Sequence, residues 1–382
     1  MYRVLFCLLC IAVSGSLFAQ RKAMLLEHRD RIQITPVKML NSRYRETNLC
    51  ITPDGNYLYF MSLRGGQPWS RSFMQYQGQD VFDGDVWFSE KRNGVWQKPK
   101  CLPYGVNTDG GEDEPNVSPD GTTVYYQSWN DFWQRTKGPY YQVSFDRESG
   151  KWGRGTGLGG GIFDFFTSND NMRATDGMSV SPDGNRFIVA CGSGYDEPMD
   201  IYMSEKGRLG WGYLKRLSIS TEGDERSVFL AADGRTLYFA SNGYDGFGGL
   251  DIYKAIIQED GRVSEVTNLG PPFNTPDDDY GFILSGNGEE GYFIREGDIY
   301  FADLTNADPR IRPGTEINLF GMVQDSASGV GVRAEIILLD AYTKRPVKRI
   351  QTDAKGYYRT TLPNENAILD EVVVAKRYRQ KQ

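Results

Sequence analysis

Carboxylates are the side chains with which this chain could do acid–base or metal chemistry, and four of them recur at one place in a repeated pattern. Glu46, Glu112, Glu225 and Asp279 each stand five residues before the apolar residue that opens a turn-and-strand unit, and in the third unit Thr175 holds that place with Asp176 beside it. If the units are arranged radially, these residues begin the innermost strands and form a ring near one axis. Glycoside cleavage uses carboxylates held at different pKa values as acid, base or nucleophile, and the same oxygens can hold a hard cation such as Ca2+. Repetition points to a simpler use. A residue that recurs in every unit does the same work in every unit, and a carboxylate at a loop-to-strand junction can accept neighbouring N–H bonds. The expectation is therefore a structural or cation-holding ring of Glu46, Glu112, Asp176, Glu225 and Asp279, with no catalytic residue and no cofactor other than Ca2+ as an option.

The elements that position these residues are announced by a turn. Ile51-Thr52-Pro53-Asp54-Gly55, Val117-Ser118-Pro119-Asp120-Gly121, Val180-Ser181-Pro182-Asp183-Gly184, Leu230-Ala231-Ala232-Asp233-Gly234 and Leu284-Ser285-Gly286-Asn287-Gly288 share one chemistry. In the full motif Ser or Thr bonds the backbone ahead, Pro presets φ and Gly accepts φ > 0. A β-rich run follows each copy, such as Tyr57-Leu58-Tyr59-Phe60 or Thr236-Leu237-Tyr238-Phe239, then an Asp-aliphatic-aromatic strand such as Asp251-Ile252-Tyr253, then a Gly-Trp type edge strand such as Gly210-Trp211. Four strands per unit at a long period mark a propeller. Successive turns are 66, 63, 50 and 54 residues apart, and a blade needs roughly 40 to 50, so the first two units carry insertions. The fifth unit lacks an outer strand, and residues 32–38 supply one. The fold expected is all-β: a five-bladed β-propeller over 31–312, with six blades the alternative, closed by that N-terminal strand. The charged lead-in at 20–30 reads as a short helix.

At Pro313-Gly314 the grammar changes. Five β-rich runs with Gly, Asn or Asp between them (317–323, 334–340, 347–353, 357–363 and 372–375) predict a small C-terminal β-sandwich over 315–382. Residues 1–19 read as a signal peptide with a basic start, an apolar core and Leu17-Phe18-Ala19 before Gln20. A secreted chain, periplasmic or associated with the outer membrane, is expected. Leu9 before Cys10 argues against a lipid anchor, and no run is long and apolar enough to span a bilayer.

Composition excludes several functions. A net charge of −7 and a pI near 5.1 disfavour nucleic acid and anionic membrane surfaces. One histidine, His28, leaves no His-built metal site or Ser-His triad. The Gly-rich run at 155–161 has no following Lys-Ser/Thr and is no phosphate loop. Cys50, Cys101 and Cys191 are too few and too scattered for a disulfide framework. Binding is expected in the insertions, which hold Trp69, Phe73 and Tyr76 in unit one and Trp129, Phe132 and Trp133 in unit two. Exposed aromatics on one face suit a protein or glycan partner.

The repeats resemble the TolB-like, WD40-like propellers of bacterial envelope proteins. The stretch Ser241-Asn242-Gly243-Tyr244-Asp245-Gly246-Phe247-Gly248-Gly249-Leu250-Asp251-Ile252-Tyr253 is similar to those that Bacteroidetes join to an OmpA-like domain. The tail, with Gly321-Met322-Val323-Gln324-Asp325 and Thr352-Asp353-Ala354-Lys355-Gly356-Tyr357, resembles a carboxypeptidase-regulatory-like domain. No OmpA-like segment follows in this chain, so peptidoglycan anchorage is not carried over. The resemblance implies a non-enzymatic envelope scaffold that binds a protein or glycan, with an outer-membrane or type IX secretion assembly as its setting. The alternative is a carbohydrate-active enzyme or lectin using axial carboxylates.

Overall fold

The structure is a computed structural model that describes residues 20–28, 32–65, 67–76, 79–169, 172, 174–258, 261–313, 316–340, 344–363 and 369–375. The leader read at 1–19 and residues 376–382 lie outside the described residues.

Five antiparallel sheets form a five-bladed propeller. Their first strands are Glu46–Ile51, Asp113–Val117, Ala174–Val180, Glu225–Leu230 and Asp279–Leu284, and these neighbour one another in a closed cycle. Each is followed outward by the strand after its turn and then by a third strand: Asp85–Arg92, Tyr140–Asp146, Met199–Gly207, Asp251–Ile256 and Asp298–Asp303. The turns are alike in detail. Their glycines Gly55, Gly121, Gly184, Gly234 and Gly288 sit at φ between +67° and +73°, a conformation that glycine adopts without steric cost. In the first turn Asp54 Oδ1 accepts from Thr52 Oγ1 at 2.5 Å and from Asn56 N at 3.0 Å.

The ring closes as the pattern predicts. Gln33–Pro36 pairs antiparallel with Asp298–Asp303, Gln33 opposite Asp303 and Pro36 opposite Tyr300, so the chain's start supplies blade five's outer strand. Ile34 packs against the core beneath it. In place of the short helix expected in the lead-in, Met24–Leu25 pairs in parallel with Thr267–Asn268 on blade four. A segment this short cannot satisfy its own helical hydrogen bonds, whereas the sheet edge offers it unpaired groups.

Strands buried on both faces fill the spaces between blades with aromatic rings. Tyr238 meets Phe282 at 5.0 Å between blades four and five, and Tyr140 meets Phe187 at 4.8 Å between blades two and three. Tyr140, Phe187, Tyr238 and Phe282 are at most 1% exposed, and each such ring contributes roughly 1.5–3 kcal/mol of burial. The insertion at 159–170 includes a helix, Gly160–Ser168, whose Ile162, Phe165 and Phe166 are buried against blade three.

C-terminal to the propeller, Glu316–Met322 pairs with Tyr357–Pro363, and Pro346–Gln351, Glu335–Asp340 and Leu369–Val374 form a second sheet. Ile336, Leu338 and Ile350 are its buried core, with Leu319, Val323, Tyr358 and Val373 packed on them. Arg359 forms a 2.8 Å ion pair with Asp183 of blade three's turn.

Candidate functional site

The repeated carboxylates are consumed by the blades that carry them. Glu225 accepts from Thr221 N at 2.8 Å, Thr221 Oγ1 at 2.6 Å and Ser241 Oγ at 2.8 Å. Glu112 has the same partners in Thr108 and Ser128, and Glu46 in Ser42 and Ser62 with Arg64 added. Asp279 is held by Thr275 and by Arg295 Nε at 2.8 Å. Each carboxylate is fully buried. It ties the turn four residues before it to the strand sixteen residues after it. Blade three departs from the rule, with Thr175 opposite Cys191. Four of the five expected ring members are thus engaged locally, and Asp176 alone belongs to a different cluster.

That cluster lies one and two residues further along each first strand. In all five the register slips there, and the residue at the slip takes positive φ: Asn48 (51°), Glu114 (53°), Gly177 (104°), Ser227 (53°) and Gly281 (67°). A bulge turns side chains away from their strand's ordinary alternation. These five residues line one small cavity of about 10 Å³ where the five first strands meet. The preceding residues of blades two to five, Asp113, Asp176, Arg226 and Tyr280, are half-buried above it.

Charge organises this mouth. The guanidinium of Arg226 donates to Asp224 Oδ2 at 2.6 Å, to Asp176 Oδ2 at 3.3 Å and to the Tyr195 carbonyl at 2.6 Å. Arg45 stands 5.7 Å over the Tyr280 ring, and its charge also acts on Asp113 and Asp176. Burial raises the pKa of both carboxyls; the two arginines oppose this at Asp176, and at Asp113 the bonds from Asn48 and Glu114 N and the Arg45 charge oppose it while the Asp176 charge adds to it. Glu114 is raised furthest, first by burial and then by the charge of Asp113, while Tyr140 OH donates to its Oε2 at 2.8 Å. Beside the mouth a cavity of about 940 Å³ opens, lined by Tyr44, Arg45, Pro276, Asp277, Asp278 and Tyr280 among others. Carboxylates of unequal proton affinity beside an aromatic-edged cleft can bind a polyhydroxylated ligand and exchange protons with it.

The expected aromatic face divides into local clusters. Trp69 Nε1 donates to Asp85 Oδ1 at 2.9 Å, and its ring stands 5.8 Å from Tyr104. Trp129 and Trp133 meet at 5.0 Å and pack on Phe166 and Phe163 of the inserted helix. Phe132 is exposed. Phe73 and Tyr76 stand on the strand Ser72–Tyr76, and their side chains lie outside the described residues. Among the described residues no cluster of three His, Cys, Asp or Glu forms a metal site, Cys50, Cys101 and Cys191 are free thiols, and no helix is long and apolar enough to cross a membrane.

Sequence reasoning missed Arg45, Asn48, Asp113, Glu114, Arg226, Ser227 and Tyr280. A signal was present. The place after the repeated carboxylate reads Thr47, Asp113, Asp176, Arg226 and Tyr280, so the units lose their likeness there, and a site with distinct roles needs that asymmetry.

No family model matches the chain, and no curated protein does. Solved structures similar to it include a candidate glycoside hydrolase from Parabacteroides distasonis, at 13% identity, covering 76% of this chain and 94% of that one with a TM-score of 0.42. They also include a candidate glycosidase from Bacteroides thetaiotaomicron (10%, 68% and 86%, 0.42) and a gluconolactonase from Xanthomonas campestris (10%, 72% and 91%, 0.39). At these identities and scores they assign this chain no reaction or substrate. With enzymes among its structural neighbours, the expectation of a non-enzymatic protein is withdrawn.

Proposed function

We propose that the chain is a carbohydrate-active protein that takes a saccharide at the propeller mouth and acts on it through Asp113 and Asp176. The observation that supports this reading is the convergence there of one distinct side chain from each of blades two to five, Asp113, Asp176, Arg226 and Tyr280. Tyr280 and the exposed Tyr195 offer ring faces to a sugar, and Asp277 and Asp278 offer hydroxyl acceptors along the adjoining cavity. Asp113, raised by burial, is the proton donor; Asp176, beside Arg45 and Arg226, is the charged partner. The leader read at 1–19 would deliver this activity across the inner membrane, to the periplasm or an outer-membrane assembly.

The test is a screen of the purified chain against a panel of oligosaccharides, scored for binding and for cleavage, with Asp113→Asn and Asp176→Asn alongside. The expected result is turnover that falls about 10²–10⁴-fold in either variant with binding retained. Absence of both binding and cleavage across the panel, or turnover unchanged in both variants, overturns the reading.

A further inference from the structure

Beneath the mouth, three residues that line one cavity each carry a buried oxygen without a hydrogen-bond partner among the described residues. Asn48 Oδ1, Glu114 Oε1 and Ser227 Oγ have no hydrogen-bond partner among the described residues, and their residues are 7%, 1% and 6% exposed. All three line the axial cavity of about 10 Å³, the space of a single water molecule or bare ion. Buried polar atoms are ordinarily satisfied, and each that is not costs roughly 1–3 kcal/mol. Three in one cavity, from blades one, two and four, therefore point to a missing ligand. Its chemistry follows from the surroundings. Asn48 Nδ2 donates to Asp113 Oδ1 at 2.8 Å, which turns the amide so that Oδ1 is the free atom. Tyr140 OH occupies Glu114 Oε2 at 2.8 Å, which leaves Oε1. Asn48 Oδ1 can only accept, and Glu114 Oε1 only accepts when its carboxyl is ionised, the state that a bound cation favours. A carboxylate, an amide oxygen and a hydroxyl are the hard oxygen donors that group-2 cations prefer. Blades three and five contribute Gly177 and Gly281 at the equivalent positions, so no side chain from them fills the space.

We propose that the propeller axis holds a divalent cation of the calcium class, bound by Asn48 Oδ1, Glu114 Oε1 and Ser227 Oγ at the join of the five blades. The ion is structural. It neutralises Glu114 and links blades one, two and four below the mouth, so this reading stands whether or not a saccharide binds above it.

The test uses the full mature chain stripped with EDTA. Calcium titrated by calorimetry is expected to bind at one equivalent, and at a hundredfold excess over Kd to raise Tm by roughly 3–5 °C. Glu114→Gln, neutral and nearly isosteric, is expected to abolish the shift, and Ser227→Ala to weaken binding on the order of tenfold while the chain stays folded. If Glu114→Gln does not fold, Ser227→Ala alone decides. Neither calcium nor magnesium uptake by the native chain overturns the proposal and assigns the cavity to a buried water. Uptake unchanged in the folded variants overturns it equally, because the ion then sits elsewhere.

Discussion

Glu225 and Ser241 face each other in register across the first two strands of blade four, and Ser241 Oγ donates to Glu225 Oε1 at 2.8 Å. The same sixteen-residue step joins Glu46 to Ser62, Glu112 to Ser128 and Asp279 to Arg295. It is the blade's own fastening. Glu225→Ala strands the Thr221 amide, the Thr221 hydroxyl and the Ser241 hydroxyl in a buried place, and unmade bonds of this kind cost roughly 1–3 kcal/mol each. Urea denaturation is expected to show a loss of about 3 kcal/mol or more, with Glu225→Gln losing less. An alanine variant as stable as the native chain would refute the fastening.

Glu112 carries a pH dependence whose sign is set by burial. Burial lifts its pKa from the ordinary 4.5 to about 7 against the opposing donors Thr108 and Ser128. The folded state therefore holds this proton more tightly than the unfolded one, so the stabilisation is complete below pH 4.5 and is lost as pH rises through 7, by roughly 3 kcal/mol. Glu112→Gln keeps the shape without the charge. Its Tm is expected to match the native value at pH 4.5 and to exceed it at pH 8; parallel pH profiles would show that Glu112 does not titrate this way.

Gly177 sits at φ +104°, and a Cβ placed there would lie 2.7 Å from Ser227 Cα and 2.8 Å from Val228 N, backbone atoms of the next blade. Gly177→Ala therefore combines backbone strain with overpacking, and a loss of roughly 2–4 kcal/mol is expected. Gly94, at φ +76° with nothing within 4 Å, provides the control. Its alanine variant should cost only about 1 kcal/mol, and equal losses at the two sites would contradict the close contact between blades three and four.

Burial pushes the Cys50 thiol up to about 12, with Val117 N and Asn116 Nδ2 directed at its sulfur, and raises Cys191 as well. Since the thiolate is the reactive form, neither should react with a disulfide reagent at pH 8 except as the chain unfolds. The check is the labelling rate against urea concentration; rapid labelling of Cys50 in native buffer would show that blades one and two open locally.

The chain's own pattern was enough to read the architecture. Turn chemistry at Pro-Asp-Gly, the β-rich runs such as Tyr57–Ser62 that follow it and the spare strand before the first turn are local or periodic properties, and they specify five blades and the closure at Gln33–Pro36. The lead-in was legible only in part, because Met24–Leu25 becomes a strand through an edge on blade four that no local signal reveals. The inserted helix brings Phe163 and Phe166 to Trp133 and Trp129, a packing between separate insertions that no local signal reveals.

What the sequence determined by itself is the repeat, and with it the identical duties of Glu46, Glu112, Glu225 and Asp279. What only the tertiary structure decided is which residues meet at the centre. Five bulges, each at a residue with positive φ, shift the inward-facing position by one or two residues and bring Asp113, Glu114, Asp176, Arg226 and Tyr280 together from strands up to 167 residues apart. The physical reason is that periodicity reports which side of a strand is buried, whereas an axis is made by the closure of the whole ring.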